Sequence, residues 1–141
     1  YFVSLCKKHT DNAYYVWSPA GDNGLDKYWP GEENVDYVGV SLYIYDEFEK
    51  DYYGSIRSFD HAFGERYERV KQFKKPIMIA EFGVINRGDL QKYWWYNASK
   101  SLSKYPELKT IVYFNAIDTV GVWGDYDTPD WSIDPAIFPG K

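Results

Sequence analysis

Lys75-Pro76-Ile77-Met78-Ile79-Ala80-Glu81-Phe82-Gly83 is an apolar run of strand length that opens after a proline and holds a single acid near its end. Pro76 can begin a strand but not occupy its middle, because it has no N–H to donate, and Gly83 allows the backbone to turn once the strand is over. Glu81 is therefore expected at the carboxyl end of a buried strand. An acid there can cap the next element or pair with a lysine. In barrels of alternating strands and helices, the same end holds the catalytic residues.

Helical spacing flanks this strand on both sides. Ser58 is placed to cap a helix whose face holds Phe59, Ala62, Phe63, Tyr67, Val70 and Phe73, and which stops ahead of Pro76. After a short loop with Gly88, a second helix begins at Asp89, with Leu90, Tyr93, Trp94, Asn97, Ala98, Ser101, Leu102 and Tyr105 on one face. Asn97-Ala98-Ser99 has the form of a glycosylation sequon, but inside a helix it reads as chance. Residues 110–115 form the next strand.

Upstream, residues 35–43 are nearly continuous in apolar and β-branched character, as a strand covered on both faces requires. Gly39 within it predicts close approach by another backbone or side chain. Residues 13–17 form an earlier strand, stopped by Ser18-Pro19, and residues 20–34 have turn chemistry throughout. Phe2, Leu5 and Cys6 share a helical face that ends in Lys7, Lys8 and His9, and His9 reads as a solvated helix-end residue. Residues 44–53 read as a loop or broken helix with solvated charges. The final segment, with Trp123, Trp131, Pro129, Pro135 and Pro139, is expected to wrap the surface and close a cleft.

Strands alternating with helices imply an α/β fold with a parallel sheet. All the strands then point their carboxyl ends, and with them Trp17, Tyr43, Glu81 and Asn115, to one side. At 141 residues the chain suffices for one domain with a core, and falls short of the roughly 250 residues of a complete eight-stranded barrel. Its formal net charge of -5, with no basic patch, argues against a nucleic-acid partner. Cys6 is the lone cysteine, so there is neither an intrachain disulfide nor a thiol cluster for a metal. No apolar run is long enough to span a membrane, and a chain that opens on Tyr1 without an initiating Met is expected to be processed or truncated. The aromatic share of 21%, richest in tyrosine, suits a surface that meets amphipathic ligands such as sugars.

Taken together, Val16-Trp17-Ser18-Pro19, Tyr28-Trp29-Pro30-Gly31, Val35-Asp36-Tyr37-Val38-Gly39, Pro76 to Gly83, Val112-Tyr113-Phe114-Asn115 and Asp130-Trp131 resemble, in order, the second half of a glycoside hydrolase family 26 catalytic domain. That family comprises endo-β-mannanases and related β-glucanases and xylanases. The resemblance implies strands five to eight of a (β/α)8 TIM barrel over residues 1–141, with Glu81 as the catalytic nucleophile and Tyr43 orienting it. It also implies sugar contacts from Trp131 and Tyr113, and one at Ser41, where the family commonly has an aspartate. Trp17, Asn115 and Trp123 at the same rim, together with Trp29, complete the candidate substrate surface.

The resemblance further implies an extracellular or cell-envelope location, a polysaccharide or oligosaccharide substrate, and neither cofactor nor metal. The family's general acid/base belongs to the strand-four end, which this chain does not include. Asp46 and Asp118 are the internal candidates for that proton. A retaining mechanism needs two carboxyl groups about 5 to 5.5 Å apart. Two other readings stand beside it: a non-catalytic carbohydrate-binding module, and a half-barrel that dimerises to cover its open side, in place of the missing amino-terminal half.

Overall fold

A computed structural model describes residues 2–137. Tyr1 and Pro139 lie outside the described residues. Helix α1 (Phe2–Cys6) precedes strand β1 (Val16–Trp17), strand β2 (Tyr37–Ile44) and helices α2 (Asp46–Tyr53) and α3 (Phe59–Val70). Strand β3 (Ile77–Val84), helix α4 (Leu90–Ser101) and strand β4 (Leu108–Tyr113) follow. The four strands lie in the order β1-β2-β3-β4, every neighbouring pair parallel. The fold is thus α/β with a four-stranded parallel sheet, compatible with half a barrel.

One face of the sheet is sealed by helices. Val38, Val40, Leu42 and Ile44 from β2, with Ile77, Ile79, Phe82 and Val84 from β3, pack beneath Phe59, Ala62, Phe63, Tyr67 and Val70 of α3 and Trp94 and Ala98 of α4. The start of α3 is fixed as its sequence predicts, with Ser58 Oγ accepting from His61 N at 3.2 Å. Beyond its last turn Lys74 adopts the left-handed conformation that ends helices, and Pro76 leads into β3.

Three expectations need correction. Residues 46–53 form helix α2, and its acids are not all solvated. Glu49 is fully buried, receiving Arg57 Nε at 2.8 Å, Nη2 at 2.6 Å and the Arg57 backbone N–H at 3.0 Å. Acids in the first turn favour the helix dipole, Asp46 binds Lys50 one turn on, and Gly54 closes the helix with a φ of 75°.

The buried face of α4 is rotated from the apolar stripe. Gln91, Trp94 and Ala98 are inside, while Tyr93 is 67% exposed. Gln91 is tolerated in the core because its amide is saturated: it donates to Val84 O and Ser132 O and accepts from Asp134 N, tying the tail to β3.

Strand β1 is the third correction, at only two residues long. Trp17 lies level with Val38 and Ile77, near the amino-terminal end of the longer strands instead of their carboxyl end. Its ring packs edge-on to Trp29 and Phe73 at 5.1 Å each, and Trp29 stacks on Phe73 at 4.5 Å. Close approach at Gly39 is confirmed, since a Cβ there would lie 2.7 Å from Ser18 Oγ.

Candidate active site

Glu81 reaches the uncovered face of the sheet through a break in strand alternation. Val40 pairs with Ile79 and Leu42 with Phe82, so β3 places two residues, Ala80 and Glu81, where β2 has only Ser41. β4 repeats the mismatch, with Ile111 opposite Ile79 and Tyr113 opposite Phe82. Strict alternation from Ile79 would turn Glu81 into the helix-side core and Phe82 out of it. The extra residue reverses both, keeping Phe82 buried and Glu81 exposed beside Ser41. Bulges re-aim side chains in this way next to active sites.

Tyr43 shares that face and donates its hydroxyl to Glu81 Oε2 across 3.5 Å, a long hydrogen bond. Gly83, expected to turn the chain, lies inside β3 and makes room for this ring. A Cβ there would sit 2.7 Å from Tyr43 Cδ1 and 3.0 Å from Trp131 Cδ2. Burial first, then the charges of Glu81 and Asp118 and the bond to Glu81, push the Tyr43 hydroxyl up to about 12. It therefore remains a protonated donor throughout the neutral range.

The pair opens into a cleft of about 440 Å³, lined by Tyr43, Glu81, Phe114, Asp118, Val122 and Trp123. That volume lies in the usual range for ligand sites. Asp118 Oδ2 accepts from the indole N–H of Trp123 at 2.9 Å and of Trp131 at 3.0 Å, while Oδ1 accepts from Thr119 N at 2.7 Å. Burial pushes the Asp118 carboxyl up, but the Trp131, Trp123 and Thr119 donors together bring it below its ordinary value. An acid held ionised by three donors fixes rings well and donates protons badly. Asp46 does not line the cleft; it is buried between Lys50 Nζ and Arg87 Nη1, each at 3.0 Å.

The remaining candidates divide between the two faces. Trp123 lines the cleft, and Ser41 lies beside Glu81 in the register. Tyr113 is on the helix side, packed on Phe82 at 5.6 Å and Trp95 at 5.7 Å, with its hydroxyl donating to Val84 O at 3.1 Å. It is partly buried against the core and does not line the cleft. Trp131 is fully buried behind Tyr43, with ring centroids 5.0 Å apart, and backs the cleft wall without offering a face. Asn115 accepts from Ile133 N at 2.8 Å and anchors the tail, while Trp17 and Trp29 sit in their own cluster.

Phe114 and Val122 are cleft residues that the sequence did not single out. Phe114 was legible in principle: with Ile111 and Tyr113 facing the helices, alternation assigns Val112 and Phe114 to the other side. Val122 belongs to the loop whose course is set by an antiparallel bridge between Ile117 and Asp130, a pairing with no local signature. The expected wrapping of the tail around a cleft is what this loop does. Among the described residues, no group of three or more His, Cys, Asp or Glu could hold a metal ion, and no helix is long and apolar enough to cross a membrane.

No family model matches the sequence. Among solved structures, a crystal structure of an engineered protein at 1.98 Å resolution is similar in fold, with a TM-score of 0.50 and 18% identity over 79% of this chain and 26% of that one. Over 90 residues, 62% of its length, the chain is 30% identical to Endoglucanase H of Acetivibrio thermocellus, and it spans only 10% of that relative. In sequence, then, the chain is similar to part of a glycoside hydrolase, and its parallel α/β sheet presents Glu81, Tyr43, Asp118 and Trp123 in one cleft.

Proposed function

We propose that this chain is the carboxyl-terminal half of the (β/α)8 catalytic domain of a retaining, endo-acting glycoside hydrolase of the family 26 kind. Its substrate is a β-linked polysaccharide such as a mannan or mixed-linkage β-glucan, met outside the cell or at its envelope. The observation that supports this most directly is the Tyr43–Glu81 pair on the uncovered sheet face, in a cleft walled by aromatic rings.

In this reading the Glu81 carboxylate attacks the anomeric carbon while the glycosidic C–O bond breaks and the leaving oxygen takes a proton from a second carboxyl group. Water then attacks the same carbon, that second group takes the water's proton, and the Glu81 ester bond breaks. Tyr43 donates to the Glu81 oxygen and holds its rotamer. Asp118 keeps Trp123 in place and does not supply the proton. The acid/base comes from a strand of the preceding barrel half.

The test is mass spectrometry of the protein with its upstream sequence after incubation with a 2-deoxy-2-fluoro glycoside. A covalent adduct on Glu81 is expected, together with a loss of turnover of roughly 10⁴-fold or more in Glu81→Ala. Turnover that survives this substitution, or an adduct elsewhere, sinks the assignment. The 141-residue chain alone is expected to be inactive. A binding module without cleavage is the second reading, favoured because the only other carboxylate in the described cleft is the occupied Asp118. Sugar binding unchanged in Glu81→Gln, with no cleavage by the longer protein, would establish it. The uncovered face, with Val112 and Phe114 exposed, fits cover by preceding strands or by a second copy, which solution mass separates.

A further inference from the structure

The Asp118 carboxylate joins the two indoles that flank Tyr43. Its Oδ2 accepts from Trp123 at 2.9 Å and from Trp131 at 3.0 Å, and its Oδ1 from Thr119 N at 2.7 Å. The three rings close a triangle: Trp131 lies 5.0 Å from Tyr43 and tilted to it by 53°, Trp123 lies 6.2 Å from Tyr43, and the two indoles are 5.5 Å apart. Tyr43 also meets Phe114 edge-on at 6.3 Å and lies against Gly83.

The course of the chain here is set without that carboxylate. Asp118 N donates to Pro129 O and Trp131 N to Ala116 O, each at 3.0 Å, on either side of the Ile117–Asp130 bridge, and Asn86 N donates to Asp130 O at 2.7 Å. Backbone bonds therefore bring the two segments together, and what the side chain adds is the orientation of the rings. One charged oxygen accepting both indole N–H groups fixes the rings relative to each other, through bonds stronger than neutral ones. Orientation matters because the Tyr43–Glu81 hydrogen bond, at 3.5 Å, is at the outer limit of its kind. A small turn of the Tyr43 ring makes or breaks it. Trp131 is fully buried, and a buried indole N–H is costly to leave unpaired. Deprived of Asp118, its ring would turn toward another acceptor and, in a close-packed interior, move Tyr43 with it. Behind burial and the charge of Glu81, the charge of Asp118 also pushes the Tyr43 hydroxyl up, which keeps it a donor.

We propose that Asp118 is a positioning residue, which acts through the Trp131 and Trp123 rings to hold the Tyr43 hydroxyl on Glu81. Its kinetic consequence rests on the glycosidase reading, to which it adds a residue that governs the nucleophile at one remove.

A double-mutant cycle in the protein with its upstream sequence tests it, read as kcat/KM on a β-mannan or a mixed-linkage β-glucan. Tyr43→Phe and Asp118→Ala are each expected to lower kcat/KM roughly 10- to 100-fold, and the double variant no further than Tyr43→Phe alone, because the hydroxyl through which Asp118 acts is gone. Asp118→Asn keeps an acceptor for the indoles and should recover part of the loss. Losses that multiply in the double variant, or turnover unchanged in Asp118→Ala, overturn the proposal. Should Asp118→Ala not fold, the cycle is run with Asp118→Asn under the same rule: its smaller loss must vanish in the Tyr43→Phe background. NMR spectra of the unliganded protein give a readout that needs no turnover. In the Asp118 variant that folds, the indole N–H signals of Trp123 and Trp131 should shift together with the ring signals of Tyr43, and Tyr43 signals that stay in place while the indoles move overturn the proposal. Absence of turnover in the parent protein sinks the glycosidase reading alone, and these spectra then decide whether Asp118 positions Tyr43.

Discussion

On the helix-covered face of the sheet, Val40, Leu42, Ile79 and Phe82 are wholly removed from solvent. On the other face, Tyr43 and Glu81 line an open cleft, with Ser41 beside Glu81 in the register. The same strands build both, and one inserted residue, Ala80, keeps the two assignments compatible. Stability is concentrated on the first face, where burial of each large side chain contributes about 1.5 to 3 kcal/mol. Candidate chemistry is concentrated on the second, where an exposed acid contributes little to folding. The difference teaches that the two can be altered separately.

The largest expected effect lies on the covered face. Phe63→Ala should lower unfolding free energy by about 3 to 5 kcal/mol in a urea titration, while Glu81→Ala should change it by less than about 0.5 kcal/mol. Equal losses would show that the open face also sustains the fold. Gly83→Ala is intermediate and touches both roles. Its Cβ would collide with Tyr43 and Trp131, so a loss of about 1 to 3 kcal/mol is expected, with displacement of the Tyr43 ring from Glu81 visible by NMR.

The smallest effect at neutral pH compares two tyrosines, each raised to about 12 by burial first. Glu81 and Asp118 add to the shift of Tyr43 on the open face, and Asp60 to that of Tyr105 on the covered one. Both hold a proton when folded that an unfolded chain releases above about pH 10. Stability should therefore be intact below pH 10 and decline progressively toward pH 12. Tyr105→Phe and Tyr43→Phe should each flatten part of that decline in alkaline melting curves. A decline of unchanged steepness in both variants would assign it to other groups.

Much of this architecture was readable residue by residue. The stripe from Phe59 to Val70 is the buried face of α3, Ser58 is its cap, and the strands around Gly39 and Ile79 are where their composition placed them. Local periodicity suffices there because each side chain's surroundings repeat along its own element. Local periodicity does not suffice where a partner distant in sequence decides the environment. Residues 46–53 form a helix, and Glu49 on it is buried against Arg57. The resemblance implies sugar contacts from Tyr113 and Trp131, whereas Tyr113 packs on Phe82 and Trp95 and Trp131 is fully buried.

By itself the sequence determined that the protein is α/β, where its long helices and strands run, and that Glu81 stands near the end of an apolar strand. Those features follow from side-chain periodicity, capping and the missing N–H of proline, which act within a few residues. Only the tertiary structure decided which way Glu81 faces, that Gly83 yields space to Tyr43, and that Asp118 is occupied by two indoles. Register across neighbouring strands and the closing of a loop by Ile117 and Asp130 set those outcomes, and neither is written in any single stretch of chain.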